Sequence, residues 1–172
     1  LYRGVDVSRI RCLENVPTGH TVIQSAGDGD NSIILFGGAN QSVTERQIDE
    51  VLADFSAGDV LLLQNEISGT AHAINRAGEK GMIIVLNPSP MNAAAKALPL
   101  QKISYLFVNE VEASQLTGLP AEDAEGLSAA LCRAFPQVQV ILTLGAAGAY
   151  YLAGKERIYQ NSNKDVVKKC RR

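Results

Sequence analysis

Asn109 and Glu112 stand three residues apart where the apolar run "ISYLFV" (103–108) gives way to "NEVEASQLTG". That spacing supports two chemistries. An Asn that opens a helix accepts from the N–H three residues on, and a Glu there reaches back to the first residue's N–H, which makes a capping box. A helix start fed by a strand also presents free N–H groups and partial positive charge, which suit phosphate. Three more apolar runs end on groups of this kind. "DVLLL" (59–63) is followed by Gln64, Asn65 and Glu66, "MIIVL" (82–86) by "NPSP" from Asn87, and "VQVIL" (138–142) by "TLGAAG", with Thr143, Gly145 and Gly148. In that last stretch the glycines either let backbone N–H groups approach an anion or permit a tight strand-to-strand turn.

The elements that must position these groups follow from the pattern around them. Continuous apolarity over four to six residues describes strands covered on both faces. Helical patterns lie between them. Ile48, Val51, Leu52 and Phe55 keep helical spacing, and Ser42 with Glu45 offers that helix a capping box. Residues 70–80 are Ala-rich and stop at Gly81, and Ala124, Leu127, Leu131, Ala134 and Phe135 form a stripe that Pro136 ends. Strand alternating with helix implies right-handed crossovers and a parallel sheet covered by helices. "HTVIQ" (20–24) and "NSIILF" (31–36) flank the Gly/Asp turn "SAGDGD" and read as an antiparallel hairpin, as does "YYLAGKERIYQ" (150–160). In a parallel sheet ligands gather beyond the carboxyl ends of the strands. Four such ends carrying polar or glycine-rich groups point to one binding cleft rather than to ordinary loop polarity.

Some chemistries are excluded or set aside. There is no GxxxxGK[ST] loop and no GxGxxG after a first strand, which disfavours a Walker-type ATPase and a dinucleotide enzyme. "AGD" at 26–28 leads into a strand-like run and reads as a hairpin turn. His20 and His72 lack metal-pair spacing and are assigned surface or lid roles. The chain has 172 residues, 46% hydrophobic and 20% charged, with net charge −2. This is ordinary globular composition at the length of one domain, and with the strand–helix alternation it makes 1–172 a single α/β domain with no basic field for nucleic acid or anionic membrane. Cys12, Cys132 and Cys170 are odd in number and widely spaced, as in a reduced cytoplasmic protein without structural zinc. No apolar run approaches the ~20 residues of a membrane helix.

The stretches "PTGHTVIQ", "GDGDNSIILFGGAN", "LLLQNEI", "VLNPSP", "FVNEVEASQLTG" and "TLGAAGAYYL" resemble, in order and spacing, the ribokinase family of sugar kinases, also called phosphofructokinase-B-type carbohydrate kinases. The resemblance runs to about Asn163. It implies a three-layer α/β/α fold with a mostly parallel sheet, a small β-hairpin lid at 18–40, and ATP-dependent phosphorylation of the 5-hydroxyl of ribose. It implies that Thr21 and Ile33 pack against the sugar and that Glu66 hydrogen-bonds its hydroxyls. Asn109 and Glu112 match the N-x-x-E motif beside the phosphates, where Glu112 acts on magnesium through water. Thr143, Gly145, Ala146, Ala147 and Gly148 match the nucleotide-contacting loop. The partners implied are ribose or a similar sugar, ATP, and a second copy joined through the lid.

The departures from the family carry expectations of their own. The family opens with a βαβ region bearing a sugar-binding Asp and a GGKGAN-like segment, and closes with a [GA]AGD turn that supplies the general base and anion hole. The chain starts at Leu1 and ends in the basic tail "KDVVKKCRR" (164–172), so neither piece is matched, and Asp165 is given no base role. The family's potassium site falls outside the match as well. The expectation is a central section incomplete at both ends, inactive alone, with apolar sheet faces and edges left bare. The alternatives are a non-catalytic nucleotide- or sugar-binding module and a kinase for another sugar or nucleoside.

Overall fold

Short runs of Leu, Ile and Val bounded by turn residues form the strands, and each spacer with helical periodicity forms a helix. The computed structural model describes residues 4–25 and 31–162. An antiparallel hairpin comes first, β1 (His20–Ser25) with β2 (Asn31–Phe36), in the register Thr21↔Leu35 and Ile23↔Ile33. The main sheet has six strands: β3 (Val60–Gln64), β4 (Ile83–Asn87), β5 (Tyr105–Asn109), β6 (Gln139–Thr143), β7 (Gly148–Ala153) and β8 (Glu156–Asn161). They lie side by side in chain order. The first four are parallel; β7 and β8 are antiparallel additions, joined by the expected hairpin, which turns through Gly154. The helices are α1 (Glu45–Leu52), α2 (Thr70–Glu79), α3 (Ala93–Lys96), α4 (Glu110–Thr117) and α5 (Ala124–Ala134). The architecture is of the three-layer α/β/α type with a mostly parallel central sheet, incomplete here in that helices cover only one face of the sheet among the described residues.

One face of the sheet carries the core. Ile84 and Leu86 of β4, Leu106 and Val108 of β5, and Val140 and Leu142 of β6 are all buried, against Ile74 and Ala77 of α2, Ala113 of α4, and Leu127 and Leu131 of α5. Each fully buried Leu or Ile contributes about 1.5–3 kcal/mol of transfer free energy, so this alternating set is the main stabilising term. The opposite face is bare among the described residues. Val60 and Leu62 of β3 are 59% and 73% exposed, and Phe107 of β5 is exposed too. The reading that these strands are covered on both faces therefore holds here for one face only, while the expectation of bare apolar surface is met.

Two local readings need correction. The cap of α1 is Thr44, whose side chain accepts from the Gln47 N–H, not Ser42 with Glu45. Residues 38–42 form a 3-10 turn and Val43 is extended, so the chain first enters the helix at Glu45. Phe55 lies beyond the end of α1, where its N–H bonds to Leu52 O in a tight turn and Arg9 stacks 5.7 Å above its ring. Residues 93–96, for which no helix is expected, form the short α3, capped by Asn92. The "AGD" turn, Asp165, Cys170 and the basic tail lie outside the described residues. Within those described, Cys12 and Cys132 are free thiols, and no helix is long and apolar enough to cross a membrane.

Candidate functional site

Parallel register brings the strand ends to one edge. Gln64 of β3 pairs with Asn87 of β4, and Asn109 of β5 pairs with Thr143 of β6, so Glu66, Asn87, Asn109 and Thr143 all emerge on the same rim of the sheet. At the β3 end of that rim lies a cavity of about 310 Å³. The hairpin contributes Thr21 and Leu35 to its wall, and the turn after β3 contributes Asn65 and Glu66. Thr21 and Glu66, far apart in sequence, therefore share one cavity. Ile33 does not line it: it lies on the same hairpin face as Thr21 but two pairs nearer the tip, and is 56% exposed.

The hairpin is seated by contacts at its base. Gly38 has φ +49, and a Cβ there would come within 2.4 Å of Pro17 O, so only glycine lets the returning chain pass. Just beyond, Gln41 Nε2 donates to Glu66 O at 2.7 Å, Ser68 N donates to Asn40 O at 3.0 Å, and Ser68 Oγ donates to Val43 O at 2.8 Å. Residues 40–43 thus hold the turn that carries Glu66. Asn65 Nδ2 donates to Pro90 O at 2.8 Å and ties this turn to the segment after β4. Asn40, Gln41 and Asn92 line the cavity and are not singled out by the sequence. The available signal is the pair Gly37-Gly38 directly after a strand, which marks a sharp return of the chain.

At the β5 end, Asn109 and Glu112 form the reciprocal cap. Asn109 Oδ1 accepts from the Glu112 N–H at 2.8 Å, and Glu112 Oε2 accepts from the Asn109 N–H at 3.0 Å. Glu112 is buried, and Glu110 also stands in the first turn of α4. The positive end of this helix already faces two carboxylates, so a bare phosphate placed there meets repulsion as well as attraction. Thr143 opens the loop at 143–148, where Gly145, Ala146 and Ala147 are exposed in a 3-10 turn. The two glycines differ in cause. A Cβ on Gly148 would lie 2.0 Å from Gln160 O, so glycine is needed for β8 to pack there, whereas Gly145, with φ +53, has open space beside it.

The histidines sit as assigned. His20 lies at the hairpin base, its ring 4.9 Å from Phe36, on the cavity wall. His72 joins α2 to α1 through Asp49 at 3.0 Å, and Arg76 Nε reaches the same carboxylate at 2.8 Å. The His72 hydrogen bond and then Arg76 hold the Asp49 carboxyl below the ordinary range. No group of three or more His, Cys, Asp or Glu that could hold a metal ion occurs among the described residues. A lone carboxylate such as Glu112 fits magnesium only in the manner usual for phosphate-bound Mg²⁺, which keeps its waters and takes one or two carboxylates.

A three-layer α/β/α sheet with a hairpin over one end of its carboxyl rim defines the class. The pfkB family carbohydrate kinase model matches residues 2–168, and the chain belongs to that family. It is similar to a ribokinase of Arabidopsis thaliana, 35% identical over 167 residues that make up 92% of this chain and 43% of that protein. Among solved structures it is similar to the ribokinase of Cryptococcus neoformans var. grubii serotype A in complex with ADP. There the TM-score is 0.78 at 33% identity, covering 94% of this chain and 56% of that one. The Arabidopsis thaliana ribokinase complexed with ribose and ATP gives a TM-score of 0.66 at 30% identity, covering 86% and 49%. The chain spans about half the length of the relatives it matches.

Proposed function

We propose that this chain carries the lid and the nucleotide-facing rim of an ATP-dependent sugar kinase whose acceptor is ribose, phosphorylated at its 5-hydroxyl. The observation that carries the reading is the meeting of Thr21 and Glu66 at one cavity beside a rim that also bears Asn109 and Thr143. The β1–β2 hairpin is the lid, and Glu66 accepts hydrogen bonds from sugar hydroxyls. Ile33, two pairs further out, meets the sugar only if the lid bends inward. The hairpin's second face, with Val22 and Ile34 exposed, seats the lid of another copy. Gly145, Ala146 and Ala147 offer backbone to the nucleotide, while Gly148 shapes the loop. Two relatives whose structures hold ADP, or ribose and ATP, support this choice of ligands.

Magnesium, when bound, supplies charge neutralisation between the phosphates and the acidic start of α4. Glu112 is the residue that would hold it, through water, while keeping its cap on Asn109. What the chain's own residues do is position: Glu66 fixes the sugar, the capped start of α4 fixes Glu112, and the 143–148 loop sets the nucleotide. In phosphoryl transfer such placement is most of the catalysis, but it also requires a base and an anion hole. Neither is assigned here to any residue of this sequence, so the chain alone is proposed to bind without turning over; potassium is assigned no site. The test is a coupled ADP-release assay of the purified chain with ribose and ATP, beside calorimetry with each ligand. Binding of both without turnover is expected. Rapid turnover sinks the inactivity, and no binding of either ligand at millimolar concentration sinks the site.

A further inference from the structure

The turn at 145–147 has little of its own to hold it. Gly145 sits at φ +53, Ala146 and Ala147 carry only methyl groups, and all three are exposed. One internal bond, from Ala147 N to Leu144 O at 3.0 Å, closes the turn. A segment whose side chains can neither bond nor pack keeps one conformation only if its neighbours hold it, because ordering a backbone costs entropy at every residue. The neighbours do so from one side. Tyr159 of β8 donates its hydroxyl to Ala147 O at 2.6 Å, Ser162 N donates to the same carbonyl at 3.4 Å, and Ser162 Oγ donates to Ala146 O.

Tyr159 is itself held. Its ring lies 5.0 Å from that of Tyr150, the residue opposite it on β7, in a tilted arrangement. Tyr150 OH donates to Glu125 Oε2 at 2.9 Å, and the other oxygen of that carboxylate accepts from Arg157 Nη1 at 2.5 Å. Arg157 Nη1 also donates to the hydroxyl of Ser128, which is buried in α5. Both oxygens of Glu125 are thus engaged, and α5 fixes Tyr150, which fixes Tyr159, which fixes the turn. A tyrosine on a strand at the sheet's edge needs no such partner, since its polar tip can end in water. Tyr159 is 43% exposed, and its hydroxyl is still directed at the turn. The contact has a consequence for the backbone, because a trans peptide is planar and sets its N–H opposite its C=O. With the Ala147 carbonyl drawn to the β8 side, the Gly148 N–H is turned away from β8.

We infer that Tyr159 is a positioning residue for this turn, seated through Tyr150 on Glu125; the inference rests on the reading of residues 143–148 as the stretch that meets the nucleotide. Its hydroxyl touches no ligand. It acts by holding the Ala147 carbonyl on the β8 side, so that the backbone of the turn meets the nucleotide already ordered. Without that contact the turn is ordered only on binding, and affinity falls by the cost of the ordering. The effect is selective. Thr21 and Glu66 lie at the β3 end of the rim, across β4 and β5 from the turn, and nothing in this chain of contacts reaches them.

The test uses the full chain and two conservative variants. Tyr159→Phe removes the hydroxyl and keeps the ring against Tyr150, while Tyr150→Phe removes the tie to Glu125. Circular dichroism should show both folded. Hydrogen exchange of the amides at 145–148, read without any ligand, should speed up by at least about threefold in Tyr159→Phe and in the same direction in Tyr150→Phe, with Gln139–Thr143 unchanged. Calorimetry with ATP should show affinity falling about twofold to tenfold in Tyr159→Phe, the range one hydrogen bond is worth, with affinity for ribose unchanged. Exchange at the parent's rate overturns the inference, and so does faster exchange with ATP affinity unchanged, which leaves Tyr159 a structural contact. An equal loss of ATP and ribose affinity overturns it too, since the damage is then general. No shift in Tyr150→Phe overturns the seat on Glu125. A parent chain that binds no ATP sinks the nucleotide reading of the turn and this inference with it; there the parent fails and not only the variant, which tells the two failures apart.

Discussion

Two substitutions at Glu112 separate its capping work from the magnesium role proposed for it. Its carboxylate accepts from the Asn109 N–H at 3.0 Å, in a buried position at the start of α4. Glu112→Gln keeps an acceptor oxygen there, and Gln serves in capping boxes. What it loses is the favourable interaction of a carboxylate with a helix N-terminus, about 0.3–1 kcal/mol. Glu112→Ala loses that and a hydrogen bond worth about 0.5–1.5 kcal/mol, for a total of about 1–2.5 kcal/mol. At ~2–4 °C per kcal/mol for a chain of this size, the midpoint of thermal unfolding should fall by ~1–4 °C for Gln and ~2–10 °C for Ala. Magnesium-dependent nucleotide binding, measured by calorimetry with and without the metal, should fall alike in both, because both remove the charge. If Gln destabilises as much as Ala, the capping account is wrong. If Gln keeps full magnesium dependence, Glu112 is a cap and nothing more.

Gly148→Ala should destabilise by about 2–3 kcal/mol or more, because its Cβ would collide with Gln160 O; Gly145→Ala has only the left-handed backbone cost of about 1–2 kcal/mol. Equal urea midpoints for the two variants would contradict this. Leu86→Ala, in the fully buried face, should cost about 2–5 kcal/mol, while Leu62→Ala on the bare face should stay within about 0.5 kcal/mol in the isolated chain; comparable losses in denaturant titrations would mean that the bare face is covered. Glu125 accepts from Tyr150 OH at 2.9 Å and pairs with Arg157, contacts that hold its carboxyl below the ordinary range, the tyrosine bond first. The folded form then binds fewer protons than the unfolded one, so this contribution is present above about pH 4.3 and is lost as pH falls below it. Glu125→Gln should flatten the drop in melting midpoint between about pH 5 and pH 3, and an unchanged drop would count against the assignment.

Strand positions and directions were legible because apolar runs and the spacers between them carry separate periodicities. The Asn109–Glu112 cap was legible because the pattern occurs once at that strand end. Near residue 44 the same pattern occurs twice, as Ser42 with Glu45 and as Thr44 with Gln47, and only the extended backbone at Val43 decides for the second. Cavity residues such as Asn40 and Gln41 were illegible for a different reason. Their place depends on the seat of the hairpin base, which is fixed by backbone contacts of Gly38 and Ser68 that no side-chain pattern announces. The bare face was misread from strand composition, since Val60 and Leu62 carry the signature of a covered strand with nothing in the described chain to cover them.

That signature links the bare face to the site. Side chains on a strand alternate, so Leu62 and Gln64 share a face, as do Val85 and Asn87, Phe107 and Asn109, and Ile141 and Thr143. In each strand the open-face residue is apolar one step before the end and polar at the end. A polar side chain under a helix layer would need a buried partner, at a cost of a few kcal/mol without one. Four strands switching together therefore mark the line where a covering layer stops and a wet crevice begins. Exposed Phe107 and exposed Asn109 fall on the two sides of that line, on one face of one strand. The polar rim and the bare apolar surface beneath it are two zones of the same sheet face.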